Sequence, residues 1–168
     1  MSIGGTIWKQ GQYWFGALVS DEGVIRLNWS TNKEEIEAKI CQYPVVQVGV
    51  AVRRNLERVR REINEYFEGE RQRFTIPAVP EGTEFEKQVW QALLKIPFGK
   101  CVSYGDLARR IGKPGAARAV GRAAGKNPVP LIIPCHRLLA SGGKLGGFTG
   151  GIEEKKKLLK HEGIELEE

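Results

Sequence analysis

The heptapeptide LIIPCHR, residues 131–137, is the most informative stretch of the chain. Its first three residues form an apolar run that predicts a buried strand, and the run ends at Pro134. Cys135 and His136 follow at once, which would place a thiol and an imidazole together at the end of a rigid apolar element. Proteins position and activate a sulfur nucleophile in this way. The alternative is a structural cysteine, because free cysteines are among the most buried residue types.

The distribution of charge indicates a polyanionic partner. The 168-residue chain has 26 Lys and Arg against 20 Asp and Glu, a net charge of +6. Residues 107–152 hold eight basic residues and no acidic one, so the rest of the chain carries a net charge of −2. A basic segment without carboxylates suits a polyphosphate, and we interpret it as a nucleic-acid-binding surface. A solvated basic surface without a partner is the alternative.

The cysteines and histidines do not have the spacing of a metal site. Cys41, Cys101 and Cys135 form no CxxC pair, and the two histidines are His136 and His161. We therefore expect neither a metal nor another cofactor. No apolar run approaches the ~20 residues of a membrane helix, and no signal-peptide pattern opens the chain. These features predict an intracellular protein with reduced thiols, a Cys41–Cys101 disulfide being the alternative.

Residues 1–76 predict a small antiparallel sheet followed by helices. Three strands are expected, at 6–8, 13–19 and 24–29. A capping box that begins at Thr31 predicts a short helix through Ile40, and a second helix is expected over about residues 51–70. Residues 77–82 contain two prolines and a glycine, and they predict an extended linker.

Residues 83–168 predict a mostly helical second domain. A capping box that begins at Thr83 opens its first helix, and residues 103–106 cap the next one. A third helix is expected over residues 116–124. The two short helices on either side of residues 111–115 predict a helix-turn-helix.

The predicted helix at 116–124 is almost without bulky side chains. Gly121 alone costs it about 1 kcal/mol of helix stability. Such a helix either packs tightly against a neighbouring helix or enters a groove too narrow for large side chains. Arg118 and Arg122 lie four residues apart and therefore on one face, from which Arg118 would project into DNA.

A glycine-rich segment follows the heptapeptide. Residues 141–151 contain six glycines, which predict either a flexible surface loop or a backbone shaped around a flat ligand. The segment is not a P-loop, because it lacks a Gly-Lys-Ser/Thr ending. A last helix over residues 152–160 precedes Glu162, which its position alone predicts to be an ordinary surface acid.

Six short pieces of the second half occur together, and in the same order, in one known family. They are SYG at 103–105, ARAVG at 117–121, NPVP at 127–130, IPCHR at 133–137, GG at 150–151 and HEG at 161–163. With them, residues 83–163 resemble the O6-alkylguanine-DNA alkyltransferases. The resemblance implies an α+β fold in which a small N-terminal antiparallel β-sheet domain with helices, RNase H-like in its sheet, precedes a mostly helical C-terminal domain with a helix-turn-helix.

The resemblance also implies a reaction. Proteins of this family flip an alkylated guanine such as O6-methylguanine out of double-stranded DNA and move the alkyl group irreversibly onto their own cysteine, once per molecule. Cys135 is then the nucleophile, linked through a water to His136, which Glu162 orients. Tyr104 would donate a proton to the leaving guanine, and Asn127 would tie the helix-turn-helix to the active-site turn.

The DNA contacts are likewise implied by the resemblance. The helix-turn-helix would enter the minor groove, which is roughly 6 Å wide, and Arg118 would fill the place that the flipped base leaves. The implied DNA-binding residues are Ser103, Tyr104, Ala117, Arg118, Ala119, Gly121 and Arg122. The implied guanine pocket consists of Val129, Pro130, Leu138, Gly147, Phe148 and Thr149. Phe148 stands where many members have tyrosine, so a hydroxyl contact would be lost. We expect a monomer without membrane association, cytoplasmic and associated with the nucleoid in a prokaryote.

Three other classes of protein are compatible with parts of the pattern. Non-catalytic lesion-binding proteins of the alkyltransferase-like kind carry tryptophan in place of the cysteine, which Cys135 argues against. A helix-turn-helix regulator would read the major groove, for which the bulk-free helix at 116–124 is poorly built. A Cys–His hydrolase would bring its histidine from far along the chain, whereas His136 is the next residue.

Overall fold

The computed structural model describes residues 2–41, 49–146 and 151–166. The chain divides into two compact units, Met1–Pro80 and Glu81–Glu168. The division falls inside the segment predicted as a linker, residues 77–82. Within the described residues, no helix has the length and apolar character needed to span a bilayer.

The N-terminal unit is built on a three-stranded antiparallel sheet. Its strands, in the spatial order β1-β2-β3, are β1 (Gly4–Gln10), β2 (Tyr13–Val19) and β3 (Val24–Ser30). The predicted meander is therefore confirmed, with β2 at its predicted bounds and with β1 and β3 longer than expected. Whether this sheet is RNase H-like stays a prediction.

Two helices cover opposite faces of the sheet. Helix α1 (Lys33–Ile40) lies so close to Gly16 that a Cβ there would stand 2.6 Å from Ile36. Helix α2 (Val50–Phe67) packs on the other face, where Phe67 lies 5.5 Å from Phe15 between ring centroids. Phe15 and Gly16 are neighbours in β2, and neighbouring strand residues point to opposite faces of the sheet. Helix α2, which contacts Phe15, and helix α1, which contacts Gly16, therefore lie on opposite faces.

The helix ends differ from the prediction for physical reasons. Asn32, not Thr31, caps α1, because its short side-chain oxygen accepts hydrogen bonds from the backbone N–H groups of Glu34 and Glu35. Helix α2 ends at Phe67 rather than near residue 70. Gly69 follows with a φ of +78°, the left-handed conformation that terminates many helices.

A buried carboxylate holds the segment after α2 in place. Glu62 Oε1 accepts hydrogen bonds from the backbone N–H groups of Thr75 and Ile76, and Oε2 accepts from the Thr75 hydroxyl and from Arg58 Nε. Burial alone would raise the pKa of Glu62, but these hydrogen bonds outweigh it and hold the pKa below the ordinary 4.5. The chain then runs extended beside Val24, as the two prolines predicted.

The C-terminal unit is mostly helical. Its elements are α3 (Glu84–Leu94), β4 (Val102–Ser103), α4 (Tyr104–Arg110), α5 (Ala117–Gly125), a 3₁₀ turn (Cys135–Arg137), β5 (Leu138–Leu139), a second 3₁₀ turn (Ser141–Gly143) and α6 (Ile152–His161). Strands β4 and β5 pair in parallel. The predicted capping box at Thr83 is confirmed, and α4 and α5 pack together as the predicted helix-turn-helix.

The apolar run at 131–133 is buried but is not a strand, so that prediction was wrong. The backbone N–H of Ile133 donates to the carbonyl of Val129 at 3.0 Å, which closes a turn. Leu131 has a φ of +78°, a conformation that a strand does not contain. The run therefore folds back on itself and delivers Pro134 and Cys135 to the start of the 3₁₀ turn.

Candidate active site

Cys135 is the first residue of the 3₁₀ turn, and only 5% of it is exposed. Its N–H donates to the carbonyl of Ile133 at 2.8 Å, so the tight fold of the apolar run fixes the cysteine backbone. Burial raises the pKa of the Cys135 thiol to about 11, although a hydrogen bond from Asn127 and the charge of Lys155 act in the opposite direction. At neutral pH the resting group is therefore a thiol.

Asn127 connects the helix-turn-helix to this cysteine. It lies two residues beyond the end of α5, and its side-chain nitrogen donates to the carbonyl of Ile133 at 2.9 Å and to Cys135 Sγ at 3.3 Å. Its side-chain oxygen accepts from the N–H of Val129 at 2.9 Å. The buried side-chain amide of Asn127 therefore bonds to the turn at both Val129 and Ile133, and it also contacts the sulfur of Cys135.

His136 and Glu162 form a buried pair beside the cysteine. His136 Nε2 lies 2.7 Å from Glu162 Oε2, and neither side chain is exposed. Burial lowers the pKa of His136 below its ordinary 6.5, against the opposing effect of Glu162. His136 Nδ1 has no hydrogen-bond partner among the described residues. The expectation from position that Glu162 is a surface acid was wrong, because only 4% of it is exposed.

Arg137 belongs to the same cluster, and the sequence analysis gave it no role. Its Nε donates to Glu162 Oε1 at 2.8 Å, Nη2 donates to Glu162 Oε2 at 3.0 Å, and Nη1 donates to the carbonyl of Ile96 at 2.6 Å. It belongs to the basic segment that is predicted to bind nucleic acid, but it is buried. The available signal was its place next to the Cys-His pair, two residues from the nucleophile.

Lys155 is a second residue that the sequence analysis missed. It lies on α6, and its Nζ donates to the carbonyls of Leu138 and Leu145. Burial lowers the pKa of Lys155 to about 8. Nothing in the sequence marks it, because it begins a run of three lysines that resembles an exposed helix face.

The residues predicted to bind DNA are Ser103, which is the last residue of β4, and residues of α4 and α5. Ser103 caps α4 by accepting from the N–H of Asp106 at 3.0 Å. A Cβ on Gly121 would stand 3.4 Å from the ring of Tyr104, and one on Gly146 would stand 2.7 Å from its hydroxyl, so Tyr104 lies between two glycines. On α5, Ala117, Ala119 and Gly121 are half-buried, whereas Arg118 and Arg122 are exposed.

Three of the six residues of the predicted guanine pocket are among the described residues. Val129 and Leu138 are buried and Pro130 is half-buried, all within a few residues of Cys135 in the chain. Gly147, Phe148 and Thr149 lie outside the described residues. All three cysteines are free thiols, so the alternative of a Cys41–Cys101 disulfide was wrong. Among the described residues, no three His, Cys, Asp or Glu side chains are grouped as metal ligands.

The chain is similar to known proteins over most of its length. The family described as 6-O-methylguanine DNA methyltransferase, DNA binding domain, matches residues 84–164. A methylated-DNA–protein-cysteine methyltransferase of Methanosarcina acetivorans is 41% identical over 143 residues, covering 85% of this chain and 87% of that protein. Its counterpart in Mycobacterium bovis is 50% identical over 101 residues, covering 60% of this chain and 61% of that protein.

A solved structure is similar to this chain over most of its length. The crystal structure of Mycobacterium tuberculosis OGT in complex with DNA has a TM-score of 0.77 and 34% sequence identity, covering 94% of this chain and 91% of that one. The fold and the family resemblance expected from the sequence are thereby confirmed. With the Cys135, His136 and Glu162 cluster in the matched segment, the chain belongs to the methylated-DNA–protein-cysteine methyltransferase family.

Proposed function

We propose that this protein repairs DNA by direct reversal of damage, moving the alkyl group of O6-alkylguanine onto Cys135. The observation that carries the proposal is the buried cluster in which Asn127 contacts the sulfur and Glu162 holds His136. Family membership supplies the substrate class, since the relatives are named for methylated DNA and for a protein cysteine as acceptor.

The reaction begins from a neutral thiol and a neutral imidazole. Because Glu162 accepts from Nε2, the second ring nitrogen, Nδ1, is the one free to accept a proton. The Cys135 proton passes to Nδ1 through a bridging water as sulfur attacks the alkyl carbon. The S–C bond forms while the C–O6 bond breaks, and the electron pair of that bond stays with guanine.

The remaining charge is balanced by groups around the sulfur and the base. Asn127 Nδ2 donates toward Sγ as negative charge develops there, and the Lys155 cation favours the same charge. Tyr104 donates a proton to the departing guanine ring, which makes it a better leaving group. The product is a thioether, so Cys135 is consumed and each molecule reacts once.

Access to the base requires that the nucleotide leave the duplex. In our proposal, α5 enters the minor groove, because its positions that are not buried are alanine and glycine apart from Arg118 and Arg122, and a groove roughly 6 Å wide admits little bulk. The exposed Arg118 occupies the vacated place in the stack, which offsets part of the few kcal/mol that flipping costs. The protein acts as a monomer, and in a prokaryote it works in the cytoplasm on the nucleoid.

The test is a stoichiometric transfer assay. Duplex DNA with a radiolabelled O6-methylguanine should lose one methyl group per protein molecule. Cys135→Ser should transfer none and should still bind the duplex with unchanged affinity. Transfer by Cys135→Ser, or more than one methyl group per molecule, would contradict the proposal.

A further inference from the structure

Arg137 makes more contacts with the Glu162 carboxylate than His136 does. Oε1 accepts from Arg137 Nε at 2.8 Å and from the N–H of Gly99 at 3.3 Å. Oε2 accepts from Arg137 Nη2 at 3.0 Å and from His136 Nε2 at 2.7 Å. Each carboxylate oxygen therefore has two donors directed at it, and the guanidinium supplies one to each.

We propose that Arg137 is a positioning residue that acts through Glu162 to fix which nitrogen of His136 carries the proton. This inference rests on the transfer reaction proposed above. The bidentate guanidinium uses one lone pair of each carboxylate oxygen and so fixes the orientation of the group, which leaves Oε2 with a lone pair directed at His136 Nε2. His136 must then donate from Nε2, and the neutral ring keeps its lone pair on Nδ1, the nitrogen that accepts the Cys135 proton.

The guanidinium charge also opposes premature protonation of the imidazole. The charged and titratable groups that face His136 are Glu162 and Lys155 from α6 and its end, and Arg137 and Cys135 from the 3₁₀ turn. Glu162 favours the imidazolium, whereas Arg137 and Lys155 oppose it. Burial is the largest cause that lowers the pKa of His136, and loss of Arg137 would remove a further one, so the imidazolium, which cannot accept a proton, would form at higher pH.

A purely structural role is the competing explanation. Arg137 Nη1 donates to the carbonyl of Ile96, just after α3, and the guanidinium lies 6.0 Å from the Phe98 ring centroid. These contacts join the end of α3 to the active-site turn, so removing them would cost stability whatever the chemistry. The test therefore needs a readout that lost stability does not change.

A double-mutant cycle on transfer from free O6-benzylguanine separates the two roles. Arg137→Met should slow single-turnover transfer about 10²-fold in the wild-type background. The same substitution should slow transfer less than about 3-fold in a Glu162→Gln background, because the carboxylate through which Arg137 acts is then absent. Equal slowing in both backgrounds would overturn the inference. No transfer by the wild-type protein would instead overturn the proposed function.

Ring ¹⁵N chemical shifts of His136 test the same point without any reaction. The chain has two histidines, so a His161→Gln variant assigns the signals. We expect the Nε2-protonated neutral ring at pH 7 in the wild type. Arg137→Met should give mixed tautomers and an imidazolium that forms at higher pH than in the wild type, and Arg137→Lys, which keeps the charge but loses the fork, should give an intermediate result. An unchanged tautomer and titration in folded Arg137→Lys and Arg137→Met would overturn the inference.

Discussion

Two glutamates, Glu62 in the N-terminal unit and Glu162 in the C-terminal unit, share an unusual environment. Both side chains are fully buried, and each accepts a hydrogen bond from an arginine Nε, at 2.9 Å from Arg58 and 2.8 Å from Arg137. Their other partners differ. Glu62 is bonded to two backbone N–H groups and a hydroxyl, whereas Glu162 is bonded to one backbone N–H, that of Gly99, and to the imidazole of His136.

This difference distinguishes a carboxylate that only stabilises the fold from one that takes part in the reaction. The partners of Glu62 lie 4 to 14 residues away in sequence, and they are backbone N–H groups, a hydroxyl and a guanidinium. The partners of Glu162 lie 25 to 63 residues away, and one is a base next to a thiol. Burial and an arginine partner are thus insufficient to identify a carboxylate that takes part in the reaction. The titratable partner, His136, distinguishes Glu162 from Glu62.

The largest expected effect is on transfer in Glu162→Gln. A glutamine would donate to His136 Nε2 from its own NH₂ group, which forces the ring proton onto Nδ1 and blocks proton acceptance. We expect transfer to slow on the order of 10³-fold. Single-turnover rates measure it, and circular dichroism establishes that the variant is folded. A rate within about 3-fold of the wild type would remove Glu162 from the mechanism.

Glu62→Gln is the matched variant, and it should change stability alone. The amide group would turn a donor toward Arg58 and the Thr75 hydroxyl, leaving buried groups unpaired. We expect the free energy of unfolding in urea to fall by about 3 kcal/mol. The transfer rate of the folded variant should equal that of the wild type, and a slower rate would erase the distinction between the two glutamates.

Acid should diminish the stability difference between wild type and Glu62→Gln. The hydrogen bonds to Glu62 hold its native pKa below the value of 4.5 expected in the unfolded chain. A lowered native pKa stabilises the fold above about pH 4.5, and that contribution is lost as the pH falls through the native value. Urea unfolding at several pH values between about 3 and 7 measures this. A difference that is constant over the range would contradict it.

The pH dependence of transfer should show the smallest of these effects. It tests the titratable groups that surround Cys135. Burial lowers the pKa of His136 below 6.5, and Lys155 loses its charge near pH 8 because burial lowers its pKa too. We expect the rate of transfer from free O6-benzylguanine to be independent of pH between these two pKa values. It should fall at lower pH as imidazolium forms, and at higher pH as the cation near Cys135 disappears. A tenfold rise per pH unit through about pH 9 would indicate a thiolate formed by hydroxide instead.

The sequence predicted the elements better than it predicted the cluster. The strands, the helix-turn-helix and the Thr83 cap follow from local patterns, and the structure has them. The apolar run before Cys135 has the composition of a strand, but the positive φ of Leu131 and the buried amide of Asn127 fold it into a turn. Periodicity contains no information on either feature.

Charged residues were the hardest to place from sequence. Arg137 and Lys155 stand in basic surroundings that predict solvent exposure, and Glu162 stands near the C-terminus among other acids. All three are buried because each finds partners 10 to 63 residues away in sequence. Such partners become visible only in the folded chain. Glu162 received a role through family resemblance, and the other two received none.

Mass spectrometry of the tryptic peptide that contains Cys135 tests the central claim most directly. The protein is incubated with duplex DNA that carries one O6-methylguanine, and the peptide ending at Arg137 is then sequenced. We predict one added methyl group, located on Cys135 and absent from Cys41 and Cys101. An unmodified peptide after the lesion has been consumed, or a methyl group on another residue, would contradict the account.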